Sequence, residues 1–115
     1  MANLKRNMIK LVKEVKEGEV ITETYLTPVF IPFSVVYEAV DIQEDIDKNT
    51  LTEKELFDKM IDIVANKIYN KQFTIQDLLN GLHAPDAIQP LQEQVIFVSR
   101  GYQSDETKKY MEKKS

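Results

Sequence analysis

The sequence offers few side chains of the types that carry out catalysis. It has no Cys and a single His, His83, which lies in the segment GLHAP between a glycine and a proline. Nucleophilic catalysis needs an activated side chain beside a base, and a metal site needs several ligands at suitable spacing. No such partners stand near His83, so we interpret it as a loop residue that caps a backbone group. We predict no enzyme activity, no catalytic residue and no cofactor.

An acidic stretch from residue 38 to residue 47 could in principle bind a cation. The calcium-loop pattern D-x-[DN]-x-[DN]-G requires a glycine and a spacing that this stretch lacks. Three of its carboxylates can share one side of a helix, which is typical of a solvated face. We therefore predict no metal site among Glu38, Asp41, Glu44, Asp45 and Asp47.

The charge distribution does not favour nucleic acid or membranes as partners. The net charge is −4, and the lysines near both ends alternate with carboxylates, whereas nucleic-acid binding depends on uncompensated Lys and Arg. None of the three glycines stands in a phosphate-binding G-x-G or G-K-[ST] context. No run approaches the roughly 18 apolar residues of a membrane span, and the basic start lacks the apolar core of a signal peptide. We expect a protein of the cytoplasm.

The N-terminal quarter has the pattern of a β-hairpin. Residues 8–15 and 20–26 mix β-branched and polar residues in alternation, and Gly18 between them can adopt the positive φ of a tight turn. Met8, Leu11, Val12 and Val15 also fit the i, i+3, i+4, i+7 spacing of an amphipathic helix. Strand and helix both remain open for residues 8–15.

The next segment is the most apolar of the chain. Pro28 and Pro32 favour an extended connector over residues 27–32, and Pro32 can also begin a helix. The helix that follows has two apolar stripes on different sides, so it is either buried between elements or paired with another chain. One stripe contains Phe33, Val36, Tyr37 and Val40, and the other contains Val35, Ala39 and Ile42.

Three further helices follow from capping signals and periodicity. Thr52 begins a capping box for a helix over about residues 53–70, and Thr74 caps a short helix that Gly81 ends. The last main helix begins at Asp86 or Gln89 and ends at Gly101, with a buried stripe of Ile88, Leu91, Val95 and Val98.

The fold class is therefore mainly α (α+β), an N-terminal β-hairpin or extended segment followed by a bundle of about four helices. We predict one domain over residues 1–102. Residues 103–115 are highly charged, and we expect them to form a flexible tail or a frayed helix.

Several stretches resemble the tail assembly chaperones of long-tailed phages and prophages of Gram-positive bacteria. The resemblance covers roughly residues 20–110 and rests on overall pattern rather than on a catalytic signature. The stretches are TPVFIPFSVVYEAVDI, DKMIDIVANKIYNKQFTIQDLLNGLHAPDAIQPLQEQVIFV and SDETKK.

The resemblance implies a non-enzymatic protein that coats the tape-measure protein, the long helical molecule that sets tail length. Many copies keep it soluble until tail-tube subunits displace them, and the chaperone is absent from the mature virion. A ribosomal frameshift often yields a longer form whose extra domain recruits the tail-tube protein. Lys108-Lys109 or Lys113-Lys114 would suit the A-rich codons of such a site.

Apolar side chains in excess of one helical face point to protein binding and to self-association in this chain. Alternative functions are a small helical regulatory or DNA-associated protein and a structural tail subunit. The predicted contact residues are Phe30, Phe33, Tyr37, Val40 and Phe97.

Overall fold

The computed structural model describes residues 4–114, and its first element is a β-hairpin. Strand β1, Met8–Lys16, pairs antiparallel with strand β2, Glu19–Leu26. Glu17 and Gly18 both have positive φ, at 52° and 82°, as the central residues of a two-residue hairpin turn require. The predicted hairpin is confirmed, and the helical alternative for residues 8–15 is wrong.

The hairpin has a buried base and an exposed outer half. At the base, Met8, Ile9 and Leu11 of β1 are buried in the core. The pairing register shifts between Val12 and Glu14, and every residue from 13 to 23 is exposed. We call residues 13–23 the arm. The alternation of the sequence continues into the arm although no core covers it there.

Helices make up the rest of the domain, in agreement with the predicted mainly α (α+β) fold. A π-helical segment, Ile63–Ile68, continues the second helix, and a 3-10 turn, Ala84–Asp86, precedes the fourth. The α-helices are α1 at Ser34–Lys48, α2 at Glu53–Asp62, α3 at Ile75–Gly81, α4 at Ile88–Arg100 and α5 at Asp105–Lys114.

Local capping determines where α2, α3 and α4 begin or end. Thr52 and Thr74 each accept a hydrogen bond from the backbone N–H three residues later, and Glu55 and Asp77 accept from the threonine N–H in return. Gly101 ends α4 in the left-handed conformation, at φ 76°. The predicted capping boxes and the predicted end of α4 are confirmed.

Two details of the helices differ from the prediction. The helix expected over residues 53–70 widens into a π-helix at Ile63, where Ile63, Val64 and Ala65 are all buried, more than one stripe of an α-helix can bury. Gly81 does not stop α3 by a positive φ; it is the last helical residue, and its backbone packs against β1. A Cβ atom at Gly81 would lie 3.0 Å from Leu11 Cβ and 3.2 Å from the Val12 carbonyl oxygen.

Helix α5 lies within the segment expected to be a flexible tail or frayed helix. Thr107 at its first turn is buried, and Glu106 pairs with Lys10 of β1 at 3.0 Å. Gln103, just before α5, donates to the Arg6 carbonyl. The division of the chain at residue 102 stays a prediction, and residues 1–3 and 115, which it also covers, lie outside the described residues.

A buried hydrogen-bond network joins the hairpin to the helices. The Gln94 side chain of α4 is 1% exposed. Its Oε1 accepts from Asn7 Nδ2 at 2.9 Å and from the Tyr69 hydroxyl at 2.6 Å, and its Nε2 donates to the Met8 carbonyl at 2.9 Å. Burial raises the pKa of Tyr69 far above its usual range, so its hydroxyl stays a donor. We call these groups the Gln94 network.

The Gln94 network predicts unequal costs for two substitutions. Gln94→Leu leaves three buried polar groups without partners, and each unsatisfied group costs about 1–3 kcal/mol. Tyr69→Phe removes one donor while Asn7 still supplies Gln94 Oε1, so we expect a loss of only about 1 kcal/mol. Urea unfolding followed by circular dichroism measures both. Equal losses for the two variants would contradict the assigned role of Gln94.

The capping boxes predict a contribution to stability that acid removes. Backbone hydrogen bonds from Thr52 and Thr74 lower the pKa of Glu55 and of Asp77. A lowered carboxyl pKa in the folded state contributes stability above the unfolded pKa of about 4, and this is lost as pH falls through the folded pKa. We expect the free energy of unfolding of the Glu55→Gln, Asp77→Asn variant to depend less on pH between about 5 and 2 than that of the parent chain. Identical pH profiles would refute the prediction, and Glu53→Gln is the matched control.

Candidate protein-interaction surface

Helix α1 carries one apolar stripe into the core and presents another outward. Val35, Ala39 and Ile42 are buried among the core side chains. Phe33, at the N-cap of α1, and Tyr37 are 69% and 66% exposed, and Val40 one turn later is also exposed. We call Phe33, Tyr37 and Val40 the outer stripe. The expectation of two apolar sides on one helix is confirmed.

The two rings of the outer stripe pack against each other. Phe33 and Tyr37 lie one helical turn apart, and their ring centroids are 5.6 Å apart in an edge-to-face arrangement. Such pairs contribute about 0.5–1.5 kcal/mol beyond the area that they bury. The contact therefore stabilises the position of each ring on the surface.

The connector before α1 extends this apolar surface. Val29 and Phe30 are exposed, and the prolines at 28 and 32 keep the segment out of the neighbouring strand and helix. The sequence analysis identified Phe30 but not Val29. Alternation in an extended segment places neighbouring residues on opposite sides, so it does not predict that Val29 and Phe30 are both exposed.

A cavity of about 320 Å³ lies between the connector and α4. Val36 of α1 lines it and is half-buried, so Val36 does not belong to the outer stripe in which its spacing placed it. Lys5 is the one charged residue among the described side chains of the lining. We call this space the connector cavity; Val29, Phe30, Ile31, Pro32, Phe97 and Val98 form most of its apolar wall.

The five predicted contact residues do not share one exposure. Phe30 and the outer stripe are exposed, whereas Phe97 is only 6% exposed and lines the connector cavity beside Phe30. Periodicity left Phe97 outside the stripe of α4. The structure buries it on a second side of α4, at the cavity whose opposite wall the connector forms. A partner could reach Phe97 only through the connector cavity.

One residue of the predicted buried stripe of α4 is exposed. Leu91 and Val95 are buried as expected, and Val98 is half-buried. Ile88 is exposed, because it lies at the first residue of α4, directly after the 3-10 turn, where the helix has not yet reached the core.

This surface is apolar and aromatic in chemical character. Across residues 4–114, the described side chains form no group of three His, Asp or Glu residues that could hold a metal ion. His83 is exposed and lies at the N-cap of the 3-10 turn, but its side chain makes no capping hydrogen bond there, which corrects the predicted cap. Over the same range, no helix combines the length and the apolar character that crossing a membrane requires. A surface of this kind can bind proteins.

Comparison with known families gives this surface a context. A family model for phage tail chaperone proteins matches residues 3–115, nearly the whole chain. The chain belongs to the phage tail chaperone family. No curated protein matches it, and no solved structure does.

Membership in this family confirms the resemblance identified from the sequence. Membership in a chaperone family points to binding of phage tail proteins. An exposed apolar stripe on a helix whose other side is anchored in the core is consistent with such a role.

Truncation of side chains on the two sides of α1 should cause unequal losses of folding free energy. Ile42→Ala opens a cavity in the core and should cost about 2–5 kcal/mol of folding free energy. Tyr37→Ala removes only an exposed ring and its contact with Phe33, so its cost should stay below about 1 kcal/mol. Chemical unfolding of both variants tests this assignment of faces. A large loss for Tyr37→Ala would mean that its ring belongs to the core.

Proposed function

We propose that this chain is a tail assembly chaperone that binds and coats the tape-measure protein of its phage. The observation that carries the proposal is the outer stripe, which leaves two aromatic rings and a valine uncovered on a helix whose other apolar stripe is buried in the core. A contiguous exposed apolar patch is typical of a protein-interaction site, and an amphipathic helix can pack against such a patch.

The shape of the outer stripe suits a helical partner. Its residues follow the i, i+4, i+7 row of α1, and the connector with Phe30 extends the apolar surface beyond the start of the helix. A second helix can pack along such a row by placing its own apolar side chains between the rings. Apolar packing selects a partner by the size and shape of its side chains and not by specific hydrogen-bonding groups. One surface can therefore accept many segments of a long tape-measure helix.

The stripe supports contacts that are strong in sum and weak singly. Full burial of one large apolar side chain contributes about 1.5–3 kcal/mol, and the cost of association consumes much of what three such residues gain. Each copy then binds with modest affinity, and repetition along the tape-measure protein multiplies the effect. Tube polymerisation can displace such a coat one copy at a time.

Tail-tube recruitment completes the proposal. A frameshifted longer form would carry an extra domain after α5, and that domain would bind the tail-tube protein. We expect the chaperone to act in the host cytoplasm and to be absent from the mature virion. Mass spectrometry of purified particles would detect it at stoichiometric amounts if it were instead a structural tail subunit.

Substitution of the outer stripe should abolish protection of the tape-measure protein. We expect the Phe33→Ala, Tyr37→Ala, Val40→Ala variant to remain folded, because the three side chains are exposed. The soluble fraction of a co-expressed tape-measure protein should fall several-fold with this variant, since apolar contact area is lost. Centrifugation followed by quantitative blotting of both proteins measures the effect.

A matched control removes exposed apolar residues elsewhere. Leu79 of α3 and Ile88 of α4 are exposed and lie outside the outer stripe and the connector, so Leu79→Ala, Ile88→Ala should protect as the parent chain does. Equal protection by the stripe variant, or no protection by the parent chain, would refute the proposal.

A further inference from the structure

The arm presents apolar side chains that its own domain does not cover. Val15 and Val20 are directly paired across the two strands, and they are 66% and 60% exposed. Cross-strand partners project from the same face of a hairpin, so the two valines form one apolar knob. The surrounding residues of the arm are mainly charged.

The arm also has a net acidic end. It contains the basic residues Lys13 and Lys16 and four carboxylates. Lys13 is already engaged, since its Nζ lies 3.7 Å from Glu23 and 5.0 Å from the centre of the Tyr25 ring. Near the turn, the positive charge of Lys16 is therefore outweighed by three carboxylates, those of Glu14, Glu17 and Glu19.

The connector cavity has complementary properties. Its wall is apolar, and Lys5 is its one charged lining residue within the described part of the chain. Lys5 Nζ donates to the Gly101 carbonyl at 2.9 Å, which holds the ammonium group at the cavity. Arg100, the residue before Gly101, is exposed on the same end of α4. The cavity thus combines an apolar interior with the basic group of Lys5, and Arg100 adjoins its lining residue Gly101 in the chain.

The arm cannot fill the cavity of its own chain. Leu4 and Lys5 line the cavity, and β1 runs from Met8 to Lys16 before the turn. A strand rises about 3.3 Å per residue, so the turn lies roughly 25–30 Å from the start of β1. The valine knob can therefore enter a connector cavity only on another molecule.

We propose that the arm of one copy docks into the connector cavity of a second copy. Val15 and Val20 would contact the apolar wall near Leu4 and Phe97, and the carboxylates of the turn would face Lys5 and Arg100. The two surfaces differ, so the contact is heterologous and each copy can bind one neighbour on either side. A row of copies results, and the outer stripe repeats along it.

This inference deepens the proposed function and rests on it for its purpose, although the contact itself is testable with the purified chain. A row of copies presents the outer stripe at regular intervals to one long helical partner. Binding of the first copy then raises the effective concentration of the next, which converts modest single contacts into a continuous coat.

Two variants, each lacking one of the two surfaces, test the contact. Val15→Thr, Val20→Thr keeps β-branched residues in the arm and makes the knob polar, whereas Leu4→Glu places a carboxylate at the cavity that should repel the acidic turn. Sedimentation velocity should give masses above the 13.4 kDa monomer that rise with concentration for the parent chain. Each variant alone should associate at least about tenfold more weakly.

The decisive measurement mixes the two variants. The arm variant still has a cavity and the Leu4→Glu variant still has an arm, so an equimolar mixture should form a species of twice the monomer mass and nothing larger. A contact between two identical surfaces, such as arm with arm, predicts no such complementation. Leu79→Glu is the matched control and should associate as the parent chain does.

Three results would overturn the inference: a parent chain that stays monomeric, a mixture that forms no dimer, or a Leu79→Glu variant that dissociates equally. The test is separable from that of the proposed function. Loss of association with protection of the tape-measure protein intact would refute the docking contact alone. Intact association with no protection would refute the proposed function alone.

Discussion

The Gln94 network is the constraint on which the rest of the structure depends. A buried amide side chain needs a protein partner for each of its hydrogen-bonding groups, because no water is available there and an unsatisfied group costs its desolvation free energy. Gln94 meets this demand only when β1, α4 and the end of the π-helical segment are in register. Apolar packing alone would tolerate a range of positions for the hairpin, whereas the network selects one.

The position of the hairpin in turn sets the surfaces that face outward. Asn7 and Thr27 exchange backbone and side-chain hydrogen bonds at the two open ends of the hairpin, so the chain leaves β2 at a defined point and enters the connector. The connector then lines a cavity together with Phe97 and leads into α1. The arm, the connector cavity and the outer stripe all follow from how the base of the hairpin is held.

The sequence predicted those features that depend on local chemistry. The hairpin turn at Gly18, the capping boxes of Thr52 and Thr74 and the end of α4 at Gly101 each require only neighbouring residues. The sequence also predicted two apolar stripes on α1. The stripe with the larger rings, from which three contact residues were predicted, is the exposed one, and the stripe that contains the small Ala39 is buried.

Features that depend on distant segments escaped sequence reasoning. Phe97 is buried at a cavity that it lines together with a connector about 65 residues away along the chain. The π-helical segment coincides with the burial of three consecutive residues, Ile63, Val64 and Ala65. The spacing of a single apolar stripe does not predict such burial. A glycine at this position is typical of a helix stop, but Gly81 instead allows α3 to approach Leu11 closely. Of the predicted contact residues, Phe33, Tyr37 and Val40 are exposed, and their place on a second apolar stripe of α1 was the signal for that exposure.

The central claim is that α1 belongs to the fold on one side and to a partner on the other. Photo-crosslinking from position 37 tests it most directly, with a benzophenone side chain in place of Tyr37 and the tape-measure protein co-expressed. The account predicts an adduct between the two proteins from position 37 and none from position 79 on α3. Adducts to the tape-measure protein from position 79 but not from position 37 would contradict it.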